Sequence, residues 1–359
     1  MKKSIALSIG ALLIAAAASA QIKEDFVSMS SNQEGSEYPM VNSQGYIRER
    51  VYAPEAHNVQ LQINGKYFPL HWTEGGYWMG ESTEPFDEGN HYYAICIDGA
   101  EVPDPNSKFL YGSGKERTQI EMPAHDQDKY ALRDVPHGHV RETWFTSPRN
   151  GEFRHLFIYT PPQYDNGKNT KYPVLYLLHG HSENETGWSN QGRCGFIMDN
   201  LIADGKSLPF IIVMAYGEIR DFQQVLAEEI IPYTESHLRV IPDARHRAIA
   251  GLSMGGMQTR MFSLAMPEKF AYVGIFSGGV ISAKDLEDHP DYKKYNKLTF
   301  ISYGSREVEN PRGMSPEAVV EQIKGLGINA KYYVSPLTAH EWQTWRRSLY
   351  EFAPLLFRN

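Results

Sequence analysis

The sequence predicts an α/β chain, a mainly parallel sheet with helices on both faces over residues 126–359, preceded by a small β-sandwich over residues 21–125. Three observations carry this prediction. After about Asp126 the chain holds nearly continuous apolar runs, the mark of strands covered on both faces. Helical patterns alternate with those runs, as a parallel sheet with crossover helices requires. Before Pro123 the runs are shorter and alternate in polarity, with tight-turn residues between them, as in antiparallel strands.

The first element is a leader. "MKKSIALSIGALLIAAAASA" places Lys2 and Lys3 before an apolar run that ends on a small-residue pattern, so residues 1–20 read as a cleaved export signal and the mature chain as periplasmic or secreted. The run is short for a stable spanning helix, and no later segment is long and apolar enough, so no membrane insertion is expected after cleavage. The formal net charge is −8, and loss of the two leader lysines with no acid leaves −10, which disfavours nucleic acid as a partner. Cys96 and Cys194 fall in different predicted units and read as buried thiols.

Next comes a polar stretch from Gln21 to about Asn42. "NVQLQING" then sets Val59, Leu61 and Ile63 on one strand face, and "HYYAICID" follows an "EGN" turn. In the second unit the strands are "KYPVLYLLHG", "PFIIVMAYG", "HRAIAGLS", "YVGIFSGG", "LTFISYG" and "AKYYVSP". Between them, "DFQQVLAEEIIPYTESHL" aligns Phe222, Val225, Leu226, Ile230 and Tyr233 on one helix face. "SPEAVVEQIKGLG" opens with a serine cap and Pro316 at the first helical position.

The strand "HRAIA" and the helical "MQTRMFSLAM" flank Gly251-Leu252-Ser253-Met254-Gly255, a strand–turn–helix G-x-S-x-G. Such an elbow holds its serine in a strained backbone, with small residues two before and two after because strand and helix pass close there. Ser253 is therefore the candidate nucleophile, with the backbone N–H of Met254 at the helix start as an oxyanion donor. A serine needs a base. His340, in "SPLTAHEWQTW", follows the last strand and precedes the final helix, where such a fold presents one. The loop after "LTFISYG" offers Glu307 and Glu309 as the acid that orients the imidazole, and Glu307 is preferred as nearer the strand end. The second oxyanion donor is expected from "HGHSENETGW", with the N–H of His181 as the candidate, while His179 and Gly180 shape the turn. A metal site on His179 and His181 lacks a matching ligand set, and no cofactor is implied.

Two resemblances attach to particular stretches. "VYAPEAHNVQLQING", "GGYWMG" and "DEGNHYYAICIDGAEVPDPNSK" resemble family 48 carbohydrate-binding modules, relatives of immunoglobulin-like domains. This implies either sugar binding, with Trp72, Tyr77 and Trp78 as aromatic candidates, or a structural brace. "IYTPPQYDNGKNTKYPVLYLLHGHSENETGW", "PFIIVMAYGE", "EEIIPYTESHLRV", "RAIAGLSMGGMQT" and "TAHEWQTW" resemble carbohydrate esterase family one, in the esterase D group. That resemblance implies an α/β-hydrolase fold and removal of feruloyl or acetyl groups from plant xylan. It places the nucleophile on Ser253, the base on His340 and the oxyanion donors on Met254 and His181. The family's aspartate in a G-x-x-D loop matches Gly304-Ser305-Arg306-Glu307, so the resemblance implies a glutamate, Glu307, in the aspartate's place. Tyr216 stands where many relatives carry asparagine. Trp188, Trp342 and Trp345 are candidates to flank an aromatic acyl group or to fill the core. The rival readings are a siderophore esterase, a catalytically silent sugar-binding protein and an acyltransferase.

Overall fold

The computed structural model describes residues 21–167, 169–309 and 314–358. The export-signal expectation concerns residues 1–20 and lies outside them. Among the described residues no helix is long and apolar enough to cross a membrane.

The amino-terminal part holds two antiparallel sheets. One orders Val27–Ser28, Met40–Val41, Ile47–Tyr52, Tyr77–Glu81 and His71–Trp72; the other orders Phe109–Gly112, Lys115–Met122, Gly89–Ile97, Val59–Ile63 and Lys66–Pro69. The sheets share one core, to which Ile47 and Val51 contribute from the first and Leu61, Ile63, Tyr93 and Ile120 from the second. Asn64 and Gly65 turn the chain between two strands with φ of 51° and 78°, the positive pair that a two-residue hairpin requires. The polar stretch before Asn42 is more structured than its composition suggests. It supplies two short strands, puts Met29 and Val41 into the core, and is tied inward by Asn32 Nδ2, which donates to the Pro39 carbonyl at 3.0 Å. Trp72 is exposed, whereas Trp78 packs against the core and donates its indole N–H to Ala53 O.

The second part is an eight-stranded sheet in the order His139–Thr146, Phe153–Thr160, Ile211–Ala215, Val174–Leu178, Arg247–Leu252, Tyr272–Phe276, Leu298–Gly304 and Ala330–Ser335. The six strands read from sequence pair in parallel, and the first two in this order pair antiparallel. Alternate residues of one strand feed separate cores: Leu175 and Leu177 one side, Val174, Tyr176 and Leu178 the other. That is why these runs are apolar throughout. The helical segment from Phe222 to His237 is interrupted by one wide π turn over Leu226–Ile230, just before Pro232, whose missing N–H cannot close the ordinary ladder.

The two parts are joined through the final helix, Trp342–Phe352. Arg346 is fully buried and makes a two-pronged bond to Glu121, at 2.7 and 3.0 Å, on a strand of the amino-terminal sheets. Arg347, also buried, makes a two-pronged pair with Asp126 within the second part, at 2.9 Å for both prongs, and reaches across to Glu88 of the amino-terminal part at 2.5 Å. Burial opposes ionisation of Glu121, but the Arg346 and Arg193 charges outweigh it and hold the carboxyl below its usual range. Cys96 and Cys194 are both free and buried.

Candidate active site

Ser253 ends the strand Arg247–Leu252 and begins the helix Met254–Ala265, with φ 52° and ψ −114°. A non-glycine residue in that region stores backbone strain and persists only where its surroundings impose it. Here the imposing contacts are glycines. A Cβ on Gly251 would lie 2.5 Å from the Gly255 backbone, and one on Gly255 would lie 2.5 Å from the His179 carbonyl oxygen. No side chain fits either position, so strand and helix close on each other and push Ser253 out at the turn.

Around that turn the structure brings three of the candidate side chains together. His340 Nε2 accepts from Ser253 Oγ at 2.8 Å, and His340 Nδ1 donates to Glu307 Oε1 at 2.8 Å. A carboxylate can only accept, so the proton sits on Nδ1 and leaves Nε2 free to accept from the serine. Glu307 is further fixed through Oε2, which receives the Gly304 N–H at 2.6 Å and the Ser277 hydroxyl at 2.8 Å. Ser277 in turn accepts from the Trp345 indole at 3.1 Å, and the Trp345 ring meets His340 edge-on at 5.1 Å. Glu309 is exposed and makes no bond to His340 among the described residues. Sequence reasoning missed Ser277, whose φ of 50° is the one local oddity, and no motif marks it.

The two candidate backbone donors, the N–H groups of Met254 and His181, are engaged by no other group among the described residues. The His181 imidazole points to Glu218 and is largely solvent-exposed. His179 is buried beneath, accepting from the Gly217 N–H at Nε2, 2.9 Å, and donating from Nδ1 to the Gly180 carbonyl, 2.8 Å. Both ring nitrogens are therefore occupied by the turn itself, and burial lowers the pKa of this histidine. His137, His155 and His246 are each bonded to carboxylates away from Ser253.

A cavity of about 420 Å³ contains Ser253 and His340. Its walls include Trp342 and Trp345 and, unforeseen from sequence, Asn64, His91, Tyr92 and Ser113 of the amino-terminal sheets. The Tyr92 hydroxyl is a junction: it receives the Trp342 indole at 3.0 Å and Gln191 Nε2 at 3.1 Å, and donates to Glu183 Oε1 at 3.0 Å. Burial pushes the Glu183 carboxyl up to about 7. Trp188 belongs instead to the core, bonded to Leu178 O. Tyr216 stacks on His179 and lines a separate cavity of about 470 Å³ with Trp144 and His155.

A hydrogen-bonded serine, histidine and carboxylate at the carboxyl edge of a mainly parallel sheet define a hydrolase-type site, and the comparisons give the family. The chain belongs to the Esterase family, whose model matches residues 147–356. It is 43% identical to an endo-1,4-beta-xylanase/feruloyl esterase of Xylanibacter ruminicola over 94% of its own length and 48% of that protein. It is 26% identical to endo-1,4-beta-xylanase Y of Acetivibrio thermocellus over 71% of its length and 26% of that protein. The chain thus spans less than half the length of these relatives. Among solved structures, its fold is shared with a ferulic acid esterase of Anaeromyces mucronatus (TM-score 0.54, 19% identity, 65% of this chain and 96% of that one). It is also shared with the enterobactin esterase of Shigella flexneri (TM-score 0.65, 16% identity, 91% and 98%). These likenesses give the second part the α/β-hydrolase fold.

Proposed function

We propose that this chain is an exported serine carboxylic-ester hydrolase of the carbohydrate esterase family one type, releasing feruloyl groups from plant xylan through an acyl-enzyme. The observation that carries it is the Ser253–His340–Glu307 chain of hydrogen bonds beside two uncommitted N–H groups. The substrate class draws on the relative that is 43% identical along nearly the whole chain and is named a feruloyl esterase.

In the first half-reaction Ser253 Oγ bonds to the ester carbonyl carbon while His340 Nε2 takes the hydroxyl proton. The carbonyl oxygen gains negative charge between the N–H groups of Met254 and His181. Glu307 holds the imidazole ring and offsets its positive charge. The bond to the sugar oxygen then breaks, and His340 returns the proton to that oxygen. Water repeats the sequence on the acyl-serine and releases the acid. These side chains and water suffice, with no metal or organic cofactor in the scheme. Residues 21–125 and 126–359 act as two units, the first an immunoglobulin-like sandwich resembling a carbohydrate-binding module.

The test is hydrolysis of methyl ferulate and of acetylated xylan by the protein beside Ser253→Ala. Ferulate release that falls at least about 10³-fold in the variant is the expected result. Acetate release alone would reassign the acyl group, and no Ser253-dependent product from either would overturn the reading.

A further inference from the structure

The acyl-transfer scheme leaves the alcohol half of the ester without a place. A general acid has to come within hydrogen-bond reach of the oxygen it protonates, so the departing sugar lies on the His340 side of Ser253. That side is flanked by the amino-terminal sheets. Trp342, two residues after His340, donates to Tyr92, and Arg306 pairs with Asp87 at 2.6 Å. The shared cavity therefore has its far wall in a part of the chain more than 100 residues from Ser253.

Two hairpin tips carry the polar groups of that wall. Asn64 and Ser113 both sit at tight turns with positive φ, 51° and 53°. Each tip is fixed from behind. His91 Nε2 donates to the Asp87 carbonyl at 2.8 Å, which leaves Nδ1 to accept from Asn64 Nδ2 at 3.1 Å. The Gly114 N–H, next to Ser113, donates to the Ser182 carbonyl of the loop after Leu178 at 2.8 Å. Asn64 Oδ1 and Ser113 Oγ make no bond among the described residues and both residues are exposed. Polar groups held rigidly and left uncommitted at a cavity wall bind hydroxyl-bearing ligands at little ordering cost.

We infer that Asn64 and Ser113 form the sugar subsite of the esterase: they bind hydroxyls of the glycosyl unit whose oxygen is acylated. The amino-terminal sheets then complete the active site from across the cleft. This inference rests on the esterase reading of Ser253.

The test compares kcat/KM on a feruloylated arabinoxylo-oligosaccharide with kcat/KM on methyl ferulate, in the parent protein and in an Asn64→Gly, Ser113→Gly double variant. Glycine accepts positive φ without strain, so both turns survive. Methyl ferulate has no sugar, so the ratio of the two values cancels any loss of folded enzyme. The expected result is a fall of about tenfold in that ratio, carried by KM, as loss of one or two hydroxyl bonds gives. A ratio within twofold of the parent overturns the inference alone. Absence of Ser253-dependent turnover of either ester in the parent overturns the esterase reading and this inference with it.

Discussion

At the scale of single residues, the acid of the site is the sharpest question, because two glutamates lie two positions apart. Glu307 receives three hydrogen bonds, from His340, Gly304 and Ser277, while Glu309 is exposed. Removing the group that fixes the imidazole tautomer lowers kcat by on the order of 10³-fold or more in enzymes of this kind. Glu307→Gln is accordingly expected to lose about 10³-fold in kcat on methyl ferulate with KM little changed. Glu309→Ala is expected to stay within about twofold of the parent. Steady-state kinetics on the pair decides it, and equal losses in both would move the acid's role elsewhere. The position of Glu307 was legible because it follows a recognisable strand by three residues. Its supporting hydroxyl was not: Ser277 comes from the neighbouring strand end, 30 residues away, with no pattern around it.

Among the elements, the final helix holds the site in place. It begins two residues after His340 and carries Arg346 and Arg347 into the junction with the amino-terminal sheets. Leaving one member of a buried charge pair without its partner costs about 3–5 kcal/mol, mostly through the stranded charge. Glu121→Ala is expected to destabilise the protein by that amount in urea unfolding at neutral pH; a change below about 1 kcal/mol would mean that water reaches Arg346. The sequence showed a helix there but not its burial on both sides, because charged residues read as a solvated face. The hairpin of His139–Thr146 and Phe153–Thr160 escaped for the related reason that its outer strand is almost wholly exposed and lacks an apolar signature. Local chemistry was readable, as the mutual contact of Gly251 and Gly255 shows, whereas pairings across the cleft, such as Asn64 and His91 facing His340, leave no trace in either segment alone.

For the molecule as a whole, the junction of the two parts carries a titrating group. Glu183 is buried there, and burial raises its carboxyl from 4.5 to about 7. Below pH 4.5 the group is neutral in both folded and unfolded chains, and no stability is lost. As pH rises from there the unfolded chain ionises first, so stability falls until the folded group also ionises near pH 7. Each tenfold difference in proton affinity between the folded and unfolded chains is worth about 1.4 kcal/mol, so the full loss is roughly 3 kcal/mol. Glu183→Gln is expected to raise the melting temperature relative to the parent at pH 8 and to bring little or no gain at pH 4. A variant whose advantage is equal at both pH values would place the titration elsewhere.

Each of the two parts encloses one sulfhydryl, Cys96 on a central strand of the first and Cys194 at the start of a helix in the second. Burial lifts the Cys194 thiol to about 12, so it is inert until its surroundings part. The protein therefore contains a pair of native clocks. The rate at which a thiol reagent reaches Cys96, set against the rate for Cys194, separates the breathing of one half from that of the other without any label being introduced.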